Sequence, residues 1–202
     1  MDFSFTYKRN TTGTGAQPAA GEPEGKAQYD KLRGCGLVIN KPHGYYDMVR
    51  GKLDDPFRKR PYEALLLVMA SEREYGEFWS NNVVLVKKSD APGEAELADA
   101  YTHIKRLIGE EVPMGDGSAG TNYDTGGLQF TAEINSNSET WDLESGDVLS
   151  QLYAKVGAAL AAAGPGRLAR WDVPEGSLLV YMNESDVADL RETTSLSWSV
   201  QE

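Results

Sequence analysis

The sequence predicts an α+β fold in a single domain. The expected core is a mainly antiparallel sheet with one open face, the other packed by two or three helices, and a Gly/Pro-rich arm or loop spans residues 10–25. Three observations carry this. Several short segments alternate apolar and polar residues with the two-residue period of a half-buried strand. Others carry apolar stripes at the 3.6-residue spacing of a helix. The two kinds are interspersed, with no repeated βα unit and no internal repeat, which favours antiparallel pairing. A length of 202 residues suits one large domain or two small ones.

The elements follow in order. Residues 2–8 alternate strictly, with Phe3, Phe5 and Tyr7 on one face, and read as a strand. Residues 10–25 collapse into Thr, Gly, Ala and Pro, too poor in apolar side chains to offset the entropy of ordering them. A short helix is expected over 26–32, then a buried strand at Leu37-Val38-Ile39. Residues 43–50 read as a helical turn with Tyr46 and Val49 inward, and Asp54-Asp55-Pro56 as a turn. Beyond Pro61, the residues Tyr62, Leu65, Leu66 and Met69 fit a helix, though Leu65-Leu66-Leu67-Val68 fits a buried strand as well. The helix is preferred, because Glu63, Glu72, Arg73 and Glu74 would extend it with good helix formers. Residues 83–87 read as a strand.

A second helix is capped by Asp90, lined by Leu97, Tyr101, Ile104 and Ile108, and stopped by Gly109. Residues 115–127 are Gly-rich and read as loop. Residues 128–134 alternate again, placing Leu128, Phe130, Ala132 and Ile134 inward, and Asn135 to Asn137 turn the chain. A third helix is capped by Ser145 or Asp147, carries Val148, Leu149, Leu152, Tyr153, Val156 and Leu160 as its stripe, and ends in a left-handed glycine at Gly164-Pro165-Gly166. Two strands at 168–173 and 177–182, a short helix at 185–191 and a closing strand through Leu196, Trp198 and Val200 complete the chain. No apolar run approaches the ~20 residues that a membrane-spanning helix needs.

Charge is placed unevenly. Residues 1–60 carry 11 Lys and Arg against 7 Asp and Glu, whereas residues 61–202 carry 9 against 24, a balance of −15. A field of that sign repels phosphate backbones and disfavours nucleic acid as a partner. It suits a basic partner. The densest cationic cluster is Arg58-Lys59-Arg60 with Arg50 and Lys52 nearby. It reads as a solvated loop between Pro56 and Pro61, or as a docking patch for an acidic surface such as that of a neighbouring copy.

Reactive side chains are few. Cys35 is the one thiol, and His43 and His103 are the two imidazoles. A thiol nucleophile needs a base within hydrogen-bond reach, so Cys35 with His43 is the enumerable catalytic pair. The ordinary reading of Gly34-Cys35-Gly36 is a small residue entering the core. Cys35, His43, Asp47 and His103 lack metal-ligand spacing, and one cysteine excludes a Cys-only zinc site. Within 115–127, Asp116, Asn122 and Asp124 could offer oxygens to calcium, and the glycines could form an anion nest. Neither an EF-hand spacing nor a Walker lysine is present, which leaves a hairpin connection or partner-binding loop as the plainer reading. Trp79, Trp141 and Trp171 lie beside turn-like or charged residues, and Tyr45-Tyr46 is an adjacent pair. Trp and Tyr are residue types that interface centres concentrate, so Trp79, Trp141, Trp171 and Tyr45, with Asp116 and Asp124 of the 115–127 loop, are the candidate partner-binding residues.

The expected function is a non-enzymatic protein–protein interaction protein, a subunit of a larger assembly such as a phage or virion structural component. One alternative is an acidic neutralising protein, an immunity factor or inhibitor that masks a basic toxin or nuclease. Another is a small enzyme using Cys35 and His43. Protein partners are expected, either copies of the chain or a basic protein, with no membrane, metal or cofactor. With no basic-then-apolar leader at its start, the chain is expected in the cytoplasm or in an assembled particle.

Overall fold

The computed structural model describes residues 24–41, 43–52, 55–73 and 76–202. The expected strand at 2–8 lies outside them, as does the expected arm apart from its last two residues, Glu24 and Gly25, which open the first helix. Helices α1 (Glu24–Gly34), α2 (Tyr45–Met48), α3 (Asp55–Lys59) and α4 (Glu63–Ala70) lead into strand β1 (Val84–Lys87) and helix α5 (Glu94–Ile108). Strands β2 (Ser118–Thr121), β3 (Leu128–Ile134) and β4 (Asn137–Leu143) follow, then helix α6 (Val148–Ala163). The chain finishes with strands β5 (Gly166–Val173) and β6 (Gly176–Asn183), helix α7 (Glu184–Thr194) and strand β7 (Ser199–Val200).

The class is α+β, but the strands form two antiparallel sheets where one was expected. One is ordered β1-β6-β5-β7 and the other β2-β3-β4. The four-stranded sheet has no open face. On one side Val180, Leu178, Ala169 and Val173 pack with α1 to α4 and α7. On the other Leu179, Tyr181, Leu168, Val84 and Val86 pack with α5 and α6. Six consecutive residues of β6 are buried, as a strand covered on both faces requires. The second sheet lays Phe130, Ala132, Ile134, Trp141 and Leu143 against the far side of α5 and α6. The order is therefore helices, four-stranded sheet, helices, three-stranded sheet.

Local chemistry explains the element ends. The Gly93 N–H donates to Glu96 Oε2 (3.0 Å) at the start of α5, where Asp90 was the expected cap. Asp147 caps α6 by accepting from the Ser150 N–H at 3.1 Å. Gly164 ends that helix in an extended conformation, φ −168°, where a left-handed one was expected. The ambiguous apolar run is helical, but α4 stops at Ala70. Ser71 is extended and Glu72 bridges to Phe78, so Glu72 and Arg73 do not prolong it. Buried Gln28 joins three helices, donating to the Phe57 carbonyl (2.8 Å) and accepting from the Tyr62 N–H (2.9 Å).

Five further expectations are corrected. Residues 37–39 join neither sheet. The Leu37 N–H donates to the Leu32 carbonyl (3.0 Å), the Ser80 hydroxyl to the Val38 carbonyl (2.6 Å) and the Ile39 N–H to the Tyr29 hydroxyl (3.2 Å). In α2 it is Tyr45 that points inward, while Tyr46 is 64% exposed. A helix, α3, stands where a turn and a loop were expected around Asp55, Pro56, Arg58 and Lys59. Strand β2 lies inside the Gly-rich segment, and β4 follows the Asn135-Ser136 turn, whose two residues both have positive φ (50° and 63°), the conformation a two-residue hairpin needs. The closing strand is confined to two residues, Ser199 and Val200. Among the described residues no helix is long and apolar enough to cross a membrane.

Candidate functional site

An open groove of about 440 Å³ lies where the α6 N-terminus meets the β5–β6 hairpin, lined by Lys87, Asp147, Tyr153, Arg170, Asp172 and Ser177 among others. The two-residue period of β5 puts Arg170 and Asp172 on one face, and pairing sets Ser177 opposite Asp172. Arg170 donates to both oxygens of Asp172, Nε to Oδ1 at 2.6 Å and Nη2 to Oδ2 at 2.8 Å, and its Nη1 donates to the Ser150 hydroxyl. Asp147 stands 3.9 Å from the same guanidinium, which also lies 5.2 Å from the Tyr153 ring centre. Ser177 donates to Asp172 Oδ1 at 2.7 Å.

Two carboxylates flank the one guanidinium and more than offset its charge, and Arg170 thereby clips α6 to the hairpin. Burial works to raise the Asp147 carboxyl, but the Ser150 hydroxyl and N–H, with Arg170, hold it below its usual range. Burial pushes the Tyr153 hydroxyl well above its ordinary value. Ser177 tempers that shift, yet no hydrogen bond of ordinary geometry reaches the Tyr153 oxygen among the described residues. Neither group is tuned to exchange a proton near neutral pH.

The residues singled out in the sequence are dispersed. Cys35 is buried and donates to the Thr193 hydroxyl at 3.4 Å, and burial raises its thiol, which disfavours the nucleophilic thiolate. His43 lies elsewhere, with Arg73 Nη1 2.9 Å from its Nε2 and its ring edge against Trp79. Arginine only donates, so that nitrogen is an occupied acceptor. No hydrogen bond joins Cys35 to His43 among the described residues. His103 turns Nδ1 to the Asp99 carbonyl one helical turn back, at 2.9 Å. No group of three or more His, Cys, Asp or Glu is placed to hold a metal ion among the described residues.

The candidate partner-binding set divides. Tyr45 (4% exposed) stacks on Tyr29, and Trp141 (8%) stacks on Phe130 while donating its indole N–H to Glu139. Both are core residues, because their neighbours in sequence, Tyr46 and Asp142, take the outward positions. Trp79 and Trp171 are half-buried, Trp171 lying 6.0 Å from the Trp198 ring. Asp116 is fully exposed and pairs with Lys105 at 3.0 Å. Asp124 is exposed in a turn whose polar atoms serve the turn itself, Asn122 Oδ1 accepting from the Asp124 N–H at 2.9 Å.

The charge reading becomes specific once placed on the fold. Between Leu107 and Ala154 the chain has nine Asp and Glu and no Lys, Arg or His. That window contains the whole three-stranded sheet. The sheet's inner face is apolar and its outer face is polar, with Gln129, Thr131 and Glu133 on β3 beside Asp142, Thr140 and Ser138 on β4. No helix covers that outer face among the described residues. Across the four-stranded sheet, Arg50 and Lys52 just after α2 and Arg58 and Lys59 in α3 are exposed, while Arg60 is engaged by Glu63 and Glu175. Sequence reasoning found the acidity but not this layer, since only strand pairing gathers Asp124, Glu133, Asp142 and Glu144 into one surface. Compared with known proteins, the chain matches no family model, no curated protein and no solved structure.

Proposed function

We propose that this chain is a non-enzymatic protein–protein interaction protein, a subunit of a larger assembly of the kind found in a phage or virion particle, and that its three-stranded sheet is the contact layer. One observation carries the reading: residues 107–154 hold nine carboxylates and no cation, and the three-stranded sheet within them, with Glu133 and Asp142 on its outer face and Asp124 and Glu144 beside it, is covered by no helix among the described residues. Such a layer attracts a basic surface over roughly a Debye length, about 10 Å at 0.1 M salt, and repels acidic ones. The dispersal of Cys35, His43 and His103 supports contact over catalysis.

The same charge supports a second reading, an acidic protein that neutralises a basic toxin or nuclease. The two differ in stoichiometry, since an assembly repeats its contact and a neutraliser forms one closed complex.

The test is calorimetric titration with an oligolysine peptide, comparing the wild-type chain with a variant carrying Asp124→Asn, Glu133→Gln and Glu144→Gln. Binding is expected to weaken as salt rises and to fall about tenfold in the variant. Equal binding by the two proteins, or binding indifferent to salt, would remove the reading.

A further inference from the structure

We infer that the occupant of the acidic layer is the cationic patch Arg50, Lys52, Arg58 and Lys59, at α2 and α3 of a second copy of this chain, so that copies join head to tail. The inference rests on the contact-layer reading and goes beyond it by naming the partner.

The complementarity lies within one molecule. Tyr45, Met48 and Phe57 root α2 and α3 in the core on one side of the four-stranded sheet. Phe130, Trp141 and Leu143 root the acidic sheet in the core on the other side. The exposed cations Arg50, Lys52, Arg58 and Lys59 form no ion pair among the described residues, Lys52 reaching only the Met48 carbonyl, at 3.4 Å, and they outnumber the exposed Asp47 and Asp55 of α2 and α3 by four to two. On the acidic side, Asp124, Glu133, Glu139 and Glu144 likewise meet no cation. Each side also carries a bare aromatic, Tyr46 at 64% exposure beside the cations and Tyr123 at 97% beside Asp124. Tyrosine is a residue that interface centres favour, so both sides carry an apolar anchor as well as charge.

Geometry then fixes the type of contact. The two patches are different surfaces on opposite sides of the molecule, so a two-fold pair would set like against like. A head-to-tail contact satisfies both, leaves one patch free at each end, and closes into a ring or extends as a filament. The contact sets Asp124, Glu133, Asp142 and Glu144, exposed carboxylates, against exposed cations, so it must weaken as salt rises.

Sedimentation velocity on the full chain tests this, at about 0.01 M ionic strength, where the Debye length is roughly 30 Å, and at about 1 M, where it is roughly 3 Å. Two variants accompany the wild type: Arg58→Ser with Lys59→Ser, and the acidic-layer variant Asp124→Asn, Glu133→Gln, Glu144→Gln. Circular dichroism and melting curves confirm that each is folded. At low salt the wild-type mass is expected to rise at least twofold with concentration and return to the monomer at high salt. Each variant alone should stay monomeric. Their mixture should form a one-to-one pair and stop there, because it contains one intact contact and no second. Association that persists in both variants, or a mixture that stays monomeric while the wild type associates, overturns the head-to-tail contact. A wild-type chain that is monomeric at low salt overturns it too. In that case, oligolysine binding that depends on the acidic layer leaves the contact-layer reading standing, and binding that ignores the layer removes both.

Discussion

Replacing Gly157 with alanine separates the helix from what is packed on it. Gly157 lies inside the sixteen-residue α6, where glycine is less favourable than alanine by about 0.5–1 kcal/mol, so helix propensity alone predicts stabilisation. The C-terminal segment reverses the sign. A Cβ at 157 would lie 2.4 Å from the Gln201 carbonyl oxygen and 2.8 Å from its carbonyl carbon. Those are backbone atoms and cannot rotate aside. Gln201 is itself held, its N–H donating to the Leu168 carbonyl at 2.8 Å just beyond the β7–β5 pairing. Overpacking of this kind costs about 1–3 kcal/mol, which leaves a net loss of roughly 0.5–2 kcal/mol. Urea denaturation of four chains measures it: wild type, Gly157→Ala, a chain ending at Trp198, and that truncated chain with Gly157→Ala. In the truncated background the same substitution should gain about 0.5–1 kcal/mol, giving a coupling of roughly 1–3 kcal/mol between helix and tail. A full-length Gly157→Ala protein as stabilised as the truncated one would refute the close approach.

Asp147→Ala should cost about 0.5–2 kcal/mol at pH 7 through loss of the α6 cap. Because that carboxyl is held below its usual range, its contribution is present above about pH 4 and lost as pH falls through its folded value, so the difference from wild type should shrink near pH 3. An unchanged difference there would place its effect outside the cap. Tyr153→Phe should alter stability by less than about 0.5 kcal/mol or raise it, since no hydrogen bond of ordinary geometry reaches the hydroxyl it deletes among the described residues; a loss above roughly 1 kcal/mol would mean that the hydroxyl is bonded, Ser177 being the neighbour placed to do so. Ser138→Lys faces Glu133 across β3 and β4 and should add about 0.2–1 kcal/mol at low salt, measured by melting, with the gain vanishing as salt rises. Cys35 should react with an aromatic disulfide reagent only on unfolding, and rapid labelling of the native protein would contradict its burial beside Thr193.

How far the fold could be read depended on where each element gets its stability. Strand β3 was legible because Phe130, Ala132 and Ile134 carry its inner face themselves. Its partners were not. Strand β4 begins Asn137-Ser138-Glu139-Thr140, all exposed, and β2 is Ser118-Ala119-Gly120-Thr121, so both are held by their ladders to β3 more than by burial. Helices α5 and α6 announced themselves through stripes that the structure buries, whereas α3 spans five residues and has only Phe57 to anchor it. The second covered face of the central sheet did leave a trace, the unbroken Leu178-Leu179-Val180 of β6, which alternation-based reasoning passes over. For the candidate surface, the sign of the charge was legible and its location was not. The aromatic signal misled at Trp141, because an indole with a charged neighbour two residues away uses that neighbour as its own hydrogen-bond acceptor while the ring stays inside.

The acidic layer raises a question that folding alone does not answer. Its attachment is apolar, through Phe130 lying 5.2 Å from Tyr101 and 6.5 Å from Trp141, so the outer face is free to vary without loosening the core. On such a face, like charges repel and a single lysine opposite Glu133 would relieve them. A sequence constrained only to fold would be expected to contain some cation among those forty-eight positions. On the proposed contact-layer reading, its exclusion reflects what the surface meets, in the way that contact surfaces give up stability for recognition. Ser138→Lys makes the two demands oppose each other in one molecule. The substitution that steadies the sheet should also weaken oligolysine binding, and a variant that gained stability with no loss of binding would show that the missing cations serve nothing outside the fold.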